Sequence, residues 1–571
     1  MPKKKIKIEI DGQEFWGEEG KTIMQVAKDN GIEIPGLCHH PDFEVRANCR
    51  VCVVEIKGQN KLQTSCSTLA KEGMEIKTNS PKVKNSRDAN LELIFAEHVE
   101  KCPTCVWRFE CPLLRYAKKY NILVSRFPER KEKRKIYKFA NAVEIDGSQC
   151  IDCRNCVDAC AVLQNINYLE VKGKGINQEI KPTEKKDFHC ILCGQCALHC
   201  PVSAAQEQTQ WEEVEKLISD PEIITVAQVA PSIRVSIGEN FDMPYGELVT
   251  ENIVSSLKML GFDYVFDVNF GADLTTVIEA EELLKRIKEG GEMPMYTSCC
   301  SGWVNYVEHY HPELIPNLTT SRSPQIHNGG AIKTYWADQM KIDPKKIRVV
   351  SVMPCTAKKY EAIRPEMKIN GNFPVDNVIT TREFSFMLKK NNIDLRKVKK
   401  RKADNPLGEY SGGGAIFGGS GGVMESALRT ADAMLCVGEK SKIRKSRIEF
   451  KEVRGLENIK EAEVEIGGIK LKVAIVNGIG HVEKVIENQK KYDYIEVMAC
   501  PGGCIGGGGQ PIPTTEEIRK KRIAALYSHD KNLKIRKSSD NKKVIEVIKW
   551  IKDKGLGDKV LYTEYKKGGG Y

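Results

Sequence analysis

The sequence predicts a multidomain chain: small α+β modules built around groups of cysteines, then one large α/β domain with mainly parallel sheets. Three observations predict it. The chain has 571 residues, and a single core rarely grows past about 250–300 residues. Its 21 cysteines gather in spaced groups, and all but six precede Pro201. From Pro221 onward, short apolar runs alternate with charged helical stretches, the rhythm of strand–helix units. The hydrophobic fraction of 41% suffices for ordinary globular cores. No apolar run reaches the roughly 18 residues of a membrane span. The start, MPKKKIKIEIDG, has no apolar stretch or cleavage site of a secretory signal, and no twin-arginine pair stands near it. The expectation is a cytoplasmic protein, where disulfides are rare and thiols serve metals or catalysis.

The modules follow in order. In residues 1–80, Ile6, Ile8 and Ile10 alternate with charged residues, and Asp11-Gly12 offers a tight hairpin turn before QEFW. Behind this hairpin come Cys38, Cys49, Cys52 and Cys66, spaced C-x10-C-x2-C-x13-C. The arrangement resembles a β-grasp 2Fe–2S ferredoxin module, although the plant-type spacing is C-x4-C-x2-C. It is closer to the ferredoxin-like start of the large iron–sulfur subunit of respiratory complex I. A four-thiolate zinc site competes, but zinc ribbons prefer two C-x2-C knuckles.

In residues 81–126, His98, Cys102, Cys105 and Cys111 form H-x3-C-x2-C-x5-C. Spacing alone admits zinc equally well. The resemblance to the same complex I subunit implies a 4Fe–4S cluster with one histidine ligand. A neutral imidazole in place of a thiolate changes the cluster's charge and shifts its potential. Residues 127–209 hold the least ambiguous signal: Cys150, Cys153, Cys156 and Cys160 repeat as Cys190, Cys193, Cys196 and Cys200, each C-x2-C-x2-C-x3-C. In this two-cluster ferredoxin run the fourth cysteine ligates the other cluster. Cys150, Cys153, Cys156 and Cys200 therefore belong to one cubane, and Cys190, Cys193, Cys196 and Cys160 to its partner. Pro201 follows the second run, and Ala161 replaces that proline in the first. Two adjacent clusters imply electron hopping.

Residues 210–571 read as the destination of those electrons, with a helical segment from about 515. Runs IITVAQVA, YVFDVNF, IRVVSVM, LKVAIVNGI and YIEVMA read as buried strands. EEVEKLI and EAEELLKRIKEG read as helices. In such folds the site lies beyond the carboxyl ends of the strands, which is where Ala230-Pro231-Ser232, VMPC and VMAC fall. Five of the six late cysteines sit in three motifs: TSCCSGW, MPCTAKKYE and EVMACPGGCIGGGGQP. Four separated thiolates from these loops could hold one more 4Fe–4S cluster. The flanking glycines would let the backbone approach a bulky ligand.

These motifs resemble the active-site signatures of the FeFe hydrogenases, and the whole chain resembles their multi-cluster clostridial type. The resemblance implies an H-cluster: a 4Fe–4S cubane thiolate-bridged to a two-iron unit with CO, cyanide and azadithiolate ligands. It implies Cys300, Cys355, Cys500 and Cys504 as cubane ligands, with Cys504 also bridging to the two-iron unit. It makes Cys299 the proton donor to the azadithiolate amine, a task that suits a thiol with a tunable pKa. Glu279 and Glu282, at i,i+3 on one helical face, resemble the proton relay. That relay would run from Cys299 through Glu279, the hydroxyl of Thr319 and Glu282 to water. Arg286, one turn on, would hold Glu282 ionised. Lys358 would donate to one cyanide, and Pro231 and Ser232 would contact the other. Met353, Met498, Phe417, Pro324 and Gln325 would wall the pocket, the methionines soft against metal carbonyls. Glu361 reads as structural or a minor relay member. Ser301 stands where relatives commonly carry proline. Cys436 has no motif and reads as a buried structural thiol.

The expected cofactors are one 2Fe–2S cluster, three accessory 4Fe–4S clusters and the H-cluster. The formal charge is +11. The basic stretches ERKEKRK (129–135) and LRKVKKRK (395–402) read as solvated surface first and as steering for an acidic ferredoxin second. Nucleic-acid binding ranks last, because no recognition motif accompanies them. The resemblance also implies maturation proteins as partners. The chain alternatively reads as the hydrogen-activating subunit of an NAD(P)-linked, electron-bifurcating complex. No G-x-G-x-x-G after a strand is evident, so a nicotinamide would need a partner chain. A non-catalytic iron–sulfur scaffold is the remaining alternative, opposed by the joint presence of Cys299, Lys358, Glu279 and Glu282.

Overall fold

The computed structural model describes residues 4–131, 134–436 and 445–568. Glu132 and Lys133 of the first basic stretch lie outside them. In the first module, strands Lys5–Ile10 and Gln13–Glu18 pair antiparallel with Ile10 opposite Gln13. The two-residue loop has φ of 50° at Asp11 and 85° at Gly12, the mirror-image turn that suits hairpin twist. Ile6, Ile8 and Ile10 are buried, in one core with Ile23, Val26 and Ala27 of helix Ile23–Asp29. The hairpin belongs to a five-stranded sheet that continues through Glu75–Lys77, Val53–Ile56 and Gln63–Thr64, with Lys5–Ile10 and Glu75–Lys77 parallel. This is the β-grasp arrangement.

Two helices, Pro81–Phe95 and Pro112–Lys119, bracket the His98–Cys111 segment. In the two-cluster module the cysteine runs repeat in backbone as well as in sequence. Left-handed φ values occur at Asp152 (57°) and Arg154 (68°), and again at Leu192 (61°) and Gly194 (71°). Each run therefore curls around its own concavity and turns amide N–H groups toward sulfur. Asp152 N reaches Cys150 Sγ and Leu192 N reaches Cys190 Sγ, both at 3.4 Å.

Among the described residues the large domain holds two four-stranded sheets. The first, ordered Tyr264–Asp267, Ile224–Val229, Ile347–Met353, Asn377–Thr380, is all parallel. The second, ordered Met295–Tyr296, Tyr494–Met498, Ile469–Asn477, Ile459–Ile466, is parallel except for its last pair. Every strand that leads to a site motif ends just before it: Val229 before Ala230-Pro231, Tyr296 before Thr297–Cys300, Met353 before Pro354-Cys355, Met498 before Ala499-Cys500. The expected strand YVFDVNF is only half strand. Asp267 turns its carboxylate onto Asn269 N and caps a helix, Val268–Glu289, so tertiary packing and a cap override the apolar run. That helix is buried on all sides from Val268 to Ala280 and meets solvent only in its later turns. At Gly271 a Cβ would lie 2.1 Å from Pro324 O, so glycine permits the close approach of helix Pro324–Ala331. No helix among the described residues is long and apolar enough to cross a membrane.

Candidate functional site

One cavity of about 70 Å³ lies where the strand-end loops meet. It is lined by Pro231, Cys299, Cys300, Pro324, Gln325, Met353, Cys355, Lys358, Phe417, Met498 and Cys504, with Ser301 and Gly418. Cys500 sits beside it, and the thiols of Cys300, Cys355, Cys500 and Cys504 lie close enough to act on one another electrostatically. Burial pushes the Cys355 thiol up to about 11 and raises the Cys500 and Cys504 thiols as well. Four soft sulfur donors in a water-poor recess fit an iron–sulfur cubane. Ser232 does not line the cavity. It stands one layer back, where its Oγ accepts a bond from Gln510 Nε2 at 3.2 Å.

The glycine tract acts differently from the expected ligand cradle. A Cβ on Gly507 would meet Pro354 O at 2.3 Å, and one on Gly508 would meet Cys193 O at 2.4 Å and Gly194 Cα at 2.5 Å. The bare backbone presses against protein, welding the Cys504 loop to the second ferredoxin run. Two side chains reinforce that seam: Gln195 Nε2 donates to Gly506 O (2.9 Å) and Thr356 Oγ1 to Leu192 O (2.7 Å). Across it Cys500 Sγ is 3.9 Å from Cys193 O. Sequence reasoning missed Gln195 and Thr356, since neither residue type signals a metal site.

The accessory groups also come together. Cys160, Cys190, Cys193 and Cys196 line one cavity, the crossed grouping expected of the double run. Cys150, Cys153, Cys156 and Cys200 act on one another elsewhere in the module. His98, Cys102, Cys105 and Cys111 line a third cavity. His98 is buried with its Nε2 unpartnered among the described residues, and burial pushes its pKa down to about 4. A neutral imidazole with an orphaned nitrogen fits a metal ligand. In the first module, Cys52 and Cys66 sulfurs are 3.3 Å apart, and Cys49 N is 3.5 Å from Cys38 Sγ. Asn48 then ties that loop to the Ile151 and Asp152 carbonyls. His40 meets His199 edge-on, with ring centroids 4.7 Å apart.

The first basic stretch differs from a solvated patch. Lys131 is buried, donates to Cys150 O (2.6 Å) and pairs with Glu97. Arg130 joins the same carboxylate. These cations hold the loop of one cysteine run. In the second stretch, Arg396, Lys397, Lys399, Lys400, Arg401 and Lys402 are exposed. Cys436 is half-buried at the end of helix Gly422–Leu435, so it is not the buried thiol expected.

Of the two helical carboxylates, Glu279 is fully buried and Glu282 partly so, because the helix emerges between them. Glu282 accepts Thr319 Oγ1 at 2.7 Å, Thr320 N at 2.9 Å and Thr320 Oγ1 at 3.0 Å, while Arg286 holds its other oxygen at 2.5 Å. Burial pushes Glu279 up to about 8; Glu282 and Glu496 add to the rise, and Tyr494 and Arg286 oppose it. The Tyr494 hydroxyl donates to Glu279 Oε1 at 2.6 Å, a contact no motif announced. Among the described residues no hydrogen bond joins Glu279 to Thr319. Burial above all, then Glu279 and Cys300, raise the Cys299 thiol well above its ordinary range. Glu496 is buried and pushed up to about 7, although it accepts the N–H groups of Gly421 and Met424 at a helix start.

Lys358 donates to Cys299 O at 2.9 Å and to both oxygens of Glu361. Burial pulls its pKa down, but Glu361 outweighs it and the net shift is upward. Glu361 is the hub of this corner: it also accepts Ser301 Oγ and Ser323 Oγ at 2.8 Å and Gln325 Nε2 at 2.7 Å. Ser301 thus fastens the Cys299–Cys300 loop to the Lys358 helix with a hydrogen bond.

Comparison with known proteins agrees with this geometry. A family model for the iron only hydrogenase large subunit, C-terminal domain, matches residues 223–508, and one for the iron hydrogenase small subunit matches 516–567. Models for a 2Fe-2S iron-sulfur cluster binding domain (3–81), an NADH-ubiquinone oxidoreductase-G iron-sulfur binding region (87–126) and a 4Fe-4S dicluster domain (149–204) cover the modules. The chain is 40% identical to iron hydrogenase 1 of Clostridium pasteurianum, over 98% of this chain and 100% of that protein. It is 38% identical to the NADP-reducing hydrogenase subunit HndD of Solidesulfovibrio fructosivorans, over 98% and 99%. A solved FeFe-hydrogenase from Chlamydomonas reinhardtii superposes with TM-score 0.55 at 34% identity, covering 63% of this chain and 100% of that one. The chain belongs to the FeFe hydrogenase family.

Proposed function

We propose that this hydrogenase reversibly interconverts dihydrogen with two protons and two electrons, and that it exchanges those electrons with a ferredoxin through its accessory clusters. The observation that carries the reading is the convergence of Cys300, Cys355 and Cys504, with Cys500 beside them, on one cavity shared with Cys299 and Lys358. Those four thiolates would hold the cubane, and His98 with fifteen further cysteines would hold one 2Fe–2S and three 4Fe–4S clusters. When bound, the H-cluster supplies the metal chemistry that joins protons and electrons.

The chain's own residues do the rest. Lys358, kept cationic by Glu361, presents positive charge to an anionic ligand of the cofactor. Met353, Met498 and Phe417 exclude water. Cys299, Glu279, Thr319 and Glu282 carry protons, and Arg286 pairs with the outer carboxylate. Electron and proton paths stay separate, so each carrier uses its own medium. Maturation proteins would deliver the two-iron unit, and the cytoplasm would be the compartment. Infrared spectroscopy of the matured protein tests this: CO and cyanide bands are expected, and their absence beside a control enzyme that shows them rejects the reading.

The likeness to the NADP-reducing subunit favours a second reading, a hydrogen-activating subunit within a larger electron-bifurcating complex. Activity of the isolated chain with reduced ferredoxin, falling as salt rises, supports the first. NAD(P)H-dependent activity only with added subunits supports the second.

A further inference from the structure

The fold treats the two carboxyl oxygens of Glu279 differently. Oε1 accepts the Tyr494 hydroxyl at 2.6 Å, whereas Oε2 is buried and has no hydrogen-bond partner among the described residues. Both residues are fully buried: Tyr494 opens strand Tyr494–Met498, and Glu279 ends the part of its helix that is enclosed on all sides. Burial, then the Glu279 and Glu496 carboxylates, hold Tyr494 ionisation well above the ordinary tyrosine range. The phenol therefore keeps its proton and remains a donor at every working pH.

A carboxylic acid carries its proton on one oxygen, and the oxygen that accepts a hydrogen bond is the carbonyl one. With the Tyr494 hydroxyl donating to Oε1, neutral Glu279 favours holding its proton on Oε2. We propose that Tyr494 is a positioning residue of the proton path, selecting Oε2 as the Glu279 oxygen that takes up and releases the proton. This rests on the relay reading given above. The carboxylate gains a proton at Oε2, becomes the neutral acid, and loses it from the same atom, while Tyr494 neither gains nor loses one. The donor also favours the charged form, opposing burial and the neighbouring carboxylates. The charged and titratable groups acting on Glu279 are Glu282 and Arg286 on its own helix, Tyr494 and Glu496 on the strand, and Cys299 on the facing loop.

The test is Tyr494→Phe in the matured holoenzyme, with Glu279→Gln as reference. The infrared C=O band lost in Glu279→Gln identifies the neutral Glu279 acid. In Tyr494→Phe that band is expected to move to higher wavenumber, because its carbonyl oxygen loses a donor. The alkaline limb of hydrogen evolution is expected to rise by about one pH unit. Turnover should fall roughly three- to tenfold, the worth of one hydrogen bond, with KM for the electron donor and the CO and cyanide bands unchanged. A fluorinated tyrosine at position 494 keeps the hydroxyl as a stronger donor and should move band and limb the opposite way. An unmoved band and limb in both variants overturn the inference. Low activity in Glu279→Gln with such unmoved signals sinks this inference alone; full activity in Glu279→Gln sinks the relay reading and this inference with it.

Discussion

The thiol loops and the carboxylate-bearing helix of this molecule are built by opposite means. The thiols stand on short loops whose left-handed residues at Asp152, Arg154, Leu192 and Gly194 fix the backbone, so main chain shapes each concavity. The carboxylates stand on one helix and are tuned by side chains from two other segments, Thr319 and Thr320 on one loop and Tyr494 and Glu496 on one strand. A main-chain device is local and repeats. A side-chain device is assembled from afar and occurs once.

The largest expected effect separates, within the thiol side, the active-site cysteines from the accessory ones. Cys504→Ala should abolish activity together with the cofactor's infrared bands. Cys150→Ala, in an accessory run, should keep those bands and slow only electron delivery. Equal loss of bands in both would erase the distinction.

Cys299→Ser comes next. It removes a proton donor but no proposed metal ligand, so turnover should fall about 10²- to 10⁴-fold while the CO and cyanide bands persist. Retained full turnover refutes the donor assignment.

Glu279→Gln sharpens the comparison through stability. The folded-state pKa of Glu279 is raised to about 8 from 4.5, so between those values the folded protein binds more protons than the unfolded chain. Stability contributed by this group is present below pH 4.5 and is lost as pH rises toward 8. The variant should lose that dependence, which melting curves across pH 5–8 will show as a flatter profile and a higher Tm at pH 8. An unchanged slope would mean that Glu279 is charged in the fold.

The smallest effect belongs to Ser301→Ala, which deletes one hydrogen bond to Glu361, worth about 1 kcal/mol. Turnover should drop two- to fivefold (roughly the same free energy), and Glu361→Gln should drop it further, because Lys358 loses its counter-charge too.

The same contrast explains what could be read in the sequence. Cysteine runs are legible because their ligands lie within a few residues, and the expected crossed grouping of Cys160 with Cys190, Cys193 and Cys196 matches the cavity they share. Strands such as Ile347–Met353 followed directly from buried apolar runs. Tyr494, Thr320 and Glu496 were not legible, since their role appears only when the strand and a distant loop meet the helix Val268–Glu289. Glycines 507 and 508 were legible as a close approach but not as to what approaches. Lys131, inside a basic stretch, looked like surface because charge runs usually are. Its partners, Glu97 and Cys150 O, lie 34 residues before it and 19 after it.

The Gly508–Gly194 contact has a consequence for how such chains can be rearranged. Neither residue has room for a single carbon more, so the two-cluster module and the catalytic domain form a keyed joint. A ferredoxin module grafted from another protein will seat only if it brings a glycine to position 194. Any other residue there pushes the last accessory cluster away from the active site, lengthening the electron jump before any cofactor or catalytic residue has changed.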